Sequence, residues 1–208
     1  IWAAPVFGTL ENFSLMLGAS SISAIFAAAV AMGVYSGALD LSVPGTAAFS
    51  AIVMAQMIGK GMDQSLAILV ALVIGAGIGM ANGLIVQTGL NPLAVTIGTL
   101  SITSGLAAIV TDGLPLFENM TQLEWLGTSM YFGIPSTFYV VAIIFVVGTI
   151  FLTKTRGGIR FMAAGGNPEA LRRAGVNSNI YRLLGFTLSG LLAAVGGIVT
   201  AAYTSQAT

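Results

Sequence analysis

The chemistry open to this chain is limited to a few side chains, because the sequence contains neither cysteine nor histidine. Disulfides, thiolate metal sites and imidazole acid–base catalysis are therefore excluded. Asp40 is the most informative remaining group, since it lies between two long apolar segments. A carboxyl group at membrane depth usually faces a water-filled path or a polar partner. Asp40 or Ser42 can instead cap a helix that begins near Pro44, and we expect this capping role.

Further polar side chains lie in the apolar segments that follow: Asn82, Asn91, Thr96 and Thr99. In a membrane, such groups mostly form hydrogen bonds between helices. Asn91 directly precedes a proline, so we expect it to cap the next helix. Some of these groups can also line a route for a polar solute. Together with Asp40 and Ser42, they are candidates for a solute path or for the cap of a broken helix.

A second group of candidates lies in a polar stretch that carries six of the seven basic residues: Lys154, Arg156, Arg160, Arg172, Arg173 and Arg182. Within it, residues 168–174 have the pattern of a short helix. Asn167 is a strong N-cap, Pro168 suits the first turn, and Gly175 can adopt the left-handed conformation that ends a helix. Glu169 near the start, and Arg172 and Arg173 near the end, complement the helix dipole.

This short helix would present Ala170, Leu171 and Ala174 as an apolar side that is too small to be buried alone. Glycine pairs at 157–158 and 165–166 are interpreted as hinges around a rigid piece. We therefore expect the helix to dock on a partner protein. The alternatives are a helix that packs on its own bundle and one whose arginines reach lipid head groups.

The elements that must position these residues are membrane helices. Hydrophobic residues make up 56% of the 208, charged residues make up 7%, and mean hydropathy is +0.96. A spanning helix needs about 20 mainly apolar residues. The segments that approach this length are 15–39, 43–59, 66–86, 92–110, 136–152 and 183–203. We predict an all-α, polytopic transmembrane bundle of about six spans, forming one domain over residues 1–208 with a polar loop at 153–182.

The basic residues also predict orientation, because loops rich in Lys and Arg stay cytoplasmic. Residues 153–182 are therefore assigned to the cytoplasm. Alternating crossings then place the loop 111–135 outside, and this loop carries Asp112, Glu118 and Glu124 without a basic residue. Net charge is zero, which gives no indication of a nucleic-acid partner. The chain begins without methionine, and we expect it to be trimmed at both ends.

Three stretches of the chain carry a resemblance to a known family. They are Asp40-Leu41-Ser42-Val43, then Asn91-Pro92 followed by Thr96-Ile97-Gly98-Thr99-Leu100, and finally Thr155-Arg156-Gly157-Gly158 leading to Gly165-Gly166-Asn167-Pro168-Glu169-Ala170. Here the sequence resembles the permease subunits of bacterial ATP-binding-cassette (ABC) importers for monosaccharides, the group that includes ribose, xylose and autoinducer-2 transporters. The resemblance covers residues 12–203. It departs at Pro44, because family members usually have glycine directly after the first stretch.

The resemblance implies a permease that does no covalent chemistry and needs no cofactor or metal. Its expected partners are a cytoplasmic ABC ATPase, a second permease subunit (identical or different), an extracytoplasmic sugar-binding protein and the lipid of a bacterial cytoplasmic (inner) membrane. The helix at 167–175 would be the coupling helix, which sits in a groove of the ATPase.

The ATPase would have to be a separate chain, since no Gly-rich, lysine-bearing nucleotide motif occurs here. Permeases of this kind continue for roughly another hundred residues. Related permeases for nucleosides or branched-chain amino acids, and a non-transport membrane scaffold, are the alternative interpretations.

Overall fold

The structure is a computed structural model that describes residues 8–114 and 123–204. Its helices are α1 (Leu10–Tyr35), α2 (Val43–Gly59), α3 (Gln64–Gln87), α4 (Pro92–Thr111), α5 (Glu124–Gly127), α6 (Ser136–Lys154), α7 (Arg156–Gly166), α8 (Pro168–Arg173) and α9 (Ser178–Thr204). Two short strands, β1 (Met130–Tyr131) and β2 (Ile134–Pro135), form an antiparallel hairpin. Glu118 and the side chain of Glu124 lie outside the described part of the acidic loop.

Five of these helices, α1, α3, α4, α6 and α9, are long and apolar enough to cross a membrane. Helix α2 is also apolar but has 17 residues. The structure thus confirms an all-α polytopic bundle, and each predicted apolar segment corresponds to a helix. The clearest difference is at α1, predicted at 15–39, which ends at Tyr35 because the chain turns at Gly37 with φ of +89°.

Helix α9 lies at the centre of the bundle. It packs against α1, α2 and α3 along its length and also contacts α5 and α7. Its contact with α3 depends on glycine, because a Cβ at Gly79 would collide with the carbonyl oxygen of Phe186, and one at Gly190 would lie 3.0 Å from the Cα of Gly79. The backbones of α3 and α9 therefore touch directly, as small residues permit in membrane helix pairs.

The contacts also show which loops and helix ends lie together at each end of the bundle. At one end, Gly165 of α7 touches the α1–α2 turn, and the side chain of Gln87 in α3 donates a hydrogen bond to the carbonyl oxygen of Asn179 in α9 (3.2 Å). At the other end, the side chain of Gln56 in α2 donates to the carbonyl oxygen of Val110 in α4 (2.9 Å). The basic residues from 154 to 182 all belong to elements at the first end.

The polar stretch folds differently from its prediction. Gly157 and Gly158 lie in the first turn of α7, and Gly165 and Gly166 lie in its last turn. The hinge interpretation of these pairs is wrong, because they belong to one continuous helix. That helix has a regular start, since the hydroxyl of Thr155 accepts a hydrogen bond from the amide of Gly158 (2.9 Å).

Candidate functional site

The turn between α1 and α2 places Asp40 inside the bundle, where it is 1% exposed. One oxygen of its carboxyl group, Oδ1, accepts hydrogen bonds from the backbone amide (2.9 Å) and the hydroxyl (2.6 Å) of Ser42. The expected capping role is therefore wrong. Ser42 is the N-cap residue of α2, but its hydroxyl is used by Asp40 and makes no bond to a helix amide. Asp40 stabilises the turn rather than the helix.

Hydrogen bonds extend from Ser42 into two neighbouring helices. The side-chain amide of Asn82 in α3 donates to the Ser42 hydroxyl (3.0 Å), and the hydroxyl of Thr99 in α4 donates to the Asn82 side-chain oxygen (2.5 Å). We call Asp40, Ser42, Asn82 and Thr99 the buried polar chain. Its donors all point towards Asp40, an arrangement in which each bond polarises the next. The chain ties the α1–α2 turn to α3 and α4.

The second carboxyl oxygen of Asp40, Oδ2, is buried and has no hydrogen-bond partner within the described ranges. Burying such a group is costly unless something else compensates for the lost hydration. Each unsatisfied buried polar atom in a native structure has an explanation, such as strain, a functional role or a bound water or ion. The buried polar chain is therefore a candidate functional element and more than a packing detail.

Two of the sequence candidates lie apart from this chain. Asn91 caps α4 as predicted, since its side-chain oxygen accepts a hydrogen bond from the amide of Leu93 (2.9 Å). The hydroxyl of Thr96 is buried but donates to the carbonyl oxygen of Pro92 in its own helix (2.9 Å). Both side chains satisfy α4 locally, and neither links it to another helix by the bonds described.

A cavity of about 940 Å³ lies beside the turn, between α1, α2 and α9. Its walls are mostly apolar, and Asp40 is the charged residue among the described residues that line it. The hydroxyl of Thr200, also in the lining, donates to the carbonyl oxygen of Gly196 (2.7 Å). A solute rich in hydroxyl groups would find few partners in these walls besides Asp40, Tyr35 and Thr200. The other members of the buried polar chain lie outside the lining.

Helix α8 has the caps that its sequence predicts. The side-chain oxygen of Asn167 accepts a hydrogen bond from the amide of Ala170 (2.9 Å), and Pro168 occupies the first turn. At its end, Gly175 has φ of +75°, and the amide of Val176 donates to the carbonyl oxygen of Leu171 (3.1 Å). This is the Schellman pattern, which fixes where a helix stops.

The charged side chains of α8 pair with one another on its surface. Glu169 accepts hydrogen bonds from Arg172 (2.5 Å) and from Arg173 (3.3 Å). All three side chains are more than half exposed, so these ion pairs contribute little to stability. They present a structured polar face to solvent.

The apolar side of α8 is different from the prediction. Leu171 is only 8% exposed, because α8 packs against α7 and α9 of the same chain. The expectation that Leu171 must dock on a partner is wrong, since α7, a helix that the sequence reasoning missed, supplies part of its burial. Ala170, Arg173 and Ala174 are exposed, and these residues form the outward face of α8.

Helix α7 is anchored to the end of α6. Phe161 is fully buried and contacts the ring of Phe151 edge to face, with the ring centres 6.0 Å apart. Gly158 packs directly on the backbone of Phe151, where a Cβ would collide. A sequence signal for α7 existed: the N-cap Thr155 is followed by buried positions three residues apart at Gly158, Phe161 and Ala164.

Comparison with known proteins agrees with this architecture. The family described as "Branched-chain amino acid transport system / permease component" matches residues 12–208. The ribose import permease protein of Escherichia coli is 31% identical over 98% of this chain and 65% of its own length. The ribose import permease protein of Bacillus subtilis is 32% identical over 94% of this chain and 62% of its own length.

A third relative, the autoinducer 2 import system permease protein of Yersinia enterocolitica, is 28% identical over 92% of this chain and 54% of its own length. The chain thus spans less than two thirds of the length of these relatives. No solved structure matches it. With a family match over residues 12–208 and five helices able to cross a membrane, the chain belongs to the family described as "Branched-chain amino acid transport system / permease component" and is a multi-pass membrane protein.

Proposed function

We propose that this chain forms the membrane pathway of an ABC importer and moves a monosaccharide by alternating access. Relatives named as ribose and autoinducer 2 import permeases support the transport class. The observation that carries the proposal is α8, a helix capped at both ends that turns a polar face outward at the basic end of the bundle. A short rigid helix at the basic end of the bundle is suited to bind a partner protein and to move with it.

The partner on this face would be a cytoplasmic ABC ATPase, with α8 as its coupling helix. Asn167, Pro168 and Gly175 keep α8 rigid, while Ala170, Arg172 and Arg173 are on its exposed surface. Leu171 is buried where α8 packs on the rest of the chain, so a displacement of α8 would also displace the helices that it contacts. The coupling role is thus divided between an outward face and an inward anchor.

The remaining partners follow from the same assignment. A second permease subunit would complete the pathway, and an extracytoplasmic binding protein would deliver the sugar at the end opposite α8. The protein would lie in the cytoplasmic (inner) membrane of a bacterium, with residues 153–182 in the cytoplasm. The basic residues of that stretch support this orientation.

Cysteine labelling tests the orientation in this naturally cysteine-free chain. Asn177 and Met62 are exposed at opposite ends of the bundle. An impermeant thiol reagent added to intact cells should label the Met62→Cys protein and leave the Asn177→Cys protein unlabelled until the cells are opened. The reverse pattern would place α8 outside and remove the basis for an ATPase contact.

Co-purification tests the coupling role. The wild-type chain should bring down an ABC ATPase, and Ala170→Asp should reduce its recovery by on the order of tenfold, an effect equivalent to about 1.4 kcal/mol. An acidic residue near the start of α8 favours the helix dipole, so the helix itself should persist. Asn177→Asp introduces the same charge next to α8 and serves as the control. Equal recovery with both variants would show that α8 does not contact the ATPase.

A second candidate cargo is a branched-chain amino acid, because the matching family is described by that transport system. Uptake of labelled ribose and labelled leucine by the assembled transporter separates the two. Competition by one unlabelled solute class and not the other identifies the cargo.

A further inference from the structure

Three glycines from three different helices press against the turn between α1 and α2, residues 36–42. Added Cβ atoms show how close they are. At Gly33 of α1, the Cβ would lie 2.8 Å from the carbonyl oxygen of Ala38. At Gly165 of α7, it would lie 2.7 Å from the amide nitrogen of Gly37, and at Gly185 of α9 it would collide with the side chain of Ser36. Cβ atoms in proteins are essentially never found within 3.0 Å of such neighbours, so a side chain at any of the three glycines would force the turn or its surroundings to shift.

The turn held between these glycines is itself rigid. The amides of Ser36 and Ala38 both donate to the carbonyl oxygen of Gly33, at 3.0 and 3.1 Å, and the Ser36 hydroxyl donates to the same oxygen (2.8 Å). Gly37 has φ of +89°, a conformation that glycine adopts without strain. A displacement of α7 would therefore reach the turn through backbone contacts, which are stiffer than contacts between flexible side chains.

The far end of the same turn is the start of the buried polar chain. Asp40 is linked through Ser42 to Asn82 in α3 and to Thr99 in α4 by hydrogen bonds of 2.5 to 3.0 Å. The contacts thus run without a gap from α7, through the turn, to two helices of the membrane bundle. Helix α8 packs on α7 and lies at the beginning of this series.

We propose that Gly165 transmits movement of α8 and α7 to the turn between α1 and α2, and that the turn and the buried polar chain carry this movement to α4. The proposal rests on the proposed function, since it requires an ATPase that moves α8. Gly165 and Thr99 are positioning residues in this scheme and need no contact with the solute.

Two other glycines of α7, Gly157 and Gly166, make no comparable contact with the turn, and Gly158 packs on α6 instead. A Cβ added at Gly166 would have no described atom within 4 Å, apart from the adjacent residues and the backbone of its own helix. At Gly157, the nearest are side-chain atoms at 3.8 Å. Gly166 directly follows Gly165 in the same helix, so a substitution there changes the same helix propensity without changing the turn contact.

The experiment compares Gly165→Ala with Gly166→Ala in the intact transporter. Gly165→Ala should still bring down the ATPase but should lower both solute uptake and binding-protein-stimulated ATP hydrolysis by on the order of tenfold, within the range usual for coupling between sites. Gly166→Ala should behave as the wild type. If Gly165→Ala keeps stimulated hydrolysis and uptake at the level of Gly166→Ala, the proposal is overturned.

A second pair guards against simple misfolding of Gly165→Ala. Thr99→Val removes the hydroxyl at the end of the buried polar chain while keeping the side-chain volume close to that of threonine. Ser101→Ala removes a hydroxyl that donates to the carbonyl oxygen of Ile97 in its own helix (3.1 Å). Thr99→Val should lose stimulation and Ser101→Ala should not. Equal stimulation by both variants would exclude the polar chain from the route.

Hydrogen exchange separates transmission from a static structural role. When nucleotide closes the ATPase in the wild-type complex, exchange of the amides at residues 36–42 should change, and in the Gly165→Ala complex it should not. An unchanged wild-type turn would contradict this inference while leaving the coupling role of α8 intact. A wild-type chain that binds no ATPase would instead contradict the proposed function and the inference together.

Discussion

Glycine residues lie at a close helix–helix contact between α3 and α9, but on an uncovered surface on the outer face of α4. In the first region, Gly75, Gly79 and Gly190 bring two backbones together, and an added Cβ at any of them would lie within 3.0 Å of the opposite helix. In the second region, a Cβ added at Gly98 or Gly105 would have no described atom of another element within 4 Å. The burial of the two helices differs in the same direction: 56% of the 18-residue apolar stretch of α9 is buried, but only 17% of that of α4.

The difference teaches that glycine spacing locates a smooth helix face but not its partner. The four-residue spacing of Gly75, Gly79 and Gly83 gives one helix face that another backbone can approach closely, and in the structure α9 packs on that face. Helix α4 has glycines seven residues apart, yet its outer face is covered by none of the described elements. Substitutions can measure this difference directly, because the same change of residue type is available in both regions.

The largest effect is expected for Gly79→Val. The added side chain would collide with the backbone of Phe186 in α9, and overpacking of this kind costs about 1–3 kcal/mol or more. The control is Gly77→Val in the same helix, where no described neighbour lies within 4 Å. Thermal unfolding of the purified protein in detergent should show a large loss of stability for Gly79→Val alone. Equal losses would mean that helix propensity, and not the α3–α9 contact, determines the result.

A smaller loss is expected for Asn82→Leu, which breaks the buried polar chain at its centre. The Thr99 hydroxyl would lose its acceptor, whereas the Ser42 hydroxyl would keep its bond to Asp40, so one polar group is left unsatisfied at a cost of about 1–3 kcal/mol. Gln87→Leu in the same helix removes an exposed hydrogen bond and should cost less than about 1 kcal/mol. Unfolding curves of the two variants in detergent measure this difference in stability. An Asn82→Leu protein as stable as the wild type would show that the buried polar chain is not required for the fold.

The hydrogen bond between Asn82 and Ser42 also shows where sequence reasoning stops. Apolar runs predicted the helices, and local signals at Asn167 and Gly175 predicted α8, because caps depend on residues within one turn. The pairing of Asn82 with Ser42 joins residues 40 positions apart, and nothing in either local sequence specifies it. Both residues were candidates, but their connection required the packing of α2 against α3.

The errors have a common physical cause. The sequence pattern hides α7 because its glycines lower helix propensity, and without α7 nothing in the chain is expected to cover Leu171. In the structure, Gly158 and Gly165 are in a helix because they allow close contact with α6 and with the α1–α2 turn. Tertiary contact thus overrides propensity at these two positions. Asp40 was likewise interpreted from the helix next to it, whereas its hydrogen bonds belong to the turn.

A third kind of glycine sharpens the comparison with an intermediate effect. Gly175 meets no described neighbour within 4 Å, yet its φ of +75° favours glycine. Gly175→Ala should therefore cost about 1 kcal/mol through backbone strain alone. Hydrogen exchange should become faster for the amides at the end of α8 and remain unchanged in α3 and α9. An effect that spread to the membrane helices would show that α8 stabilises the whole bundle.

The smallest effect is expected for Gly98→Ala on the open face of α4. Alanine has the higher helix propensity, so the substitution should raise stability by about 0.5–1 kcal/mol when this chain is purified alone. The same variant measured in the assembled transporter tests whether that face stays open. A gain in both preparations would leave α4 facing lipid. A gain in the isolated chain that becomes a loss in the assembly would mean that another helix packs on Gly98, and the two regions would then differ only in whether the partner helix lies in this chain.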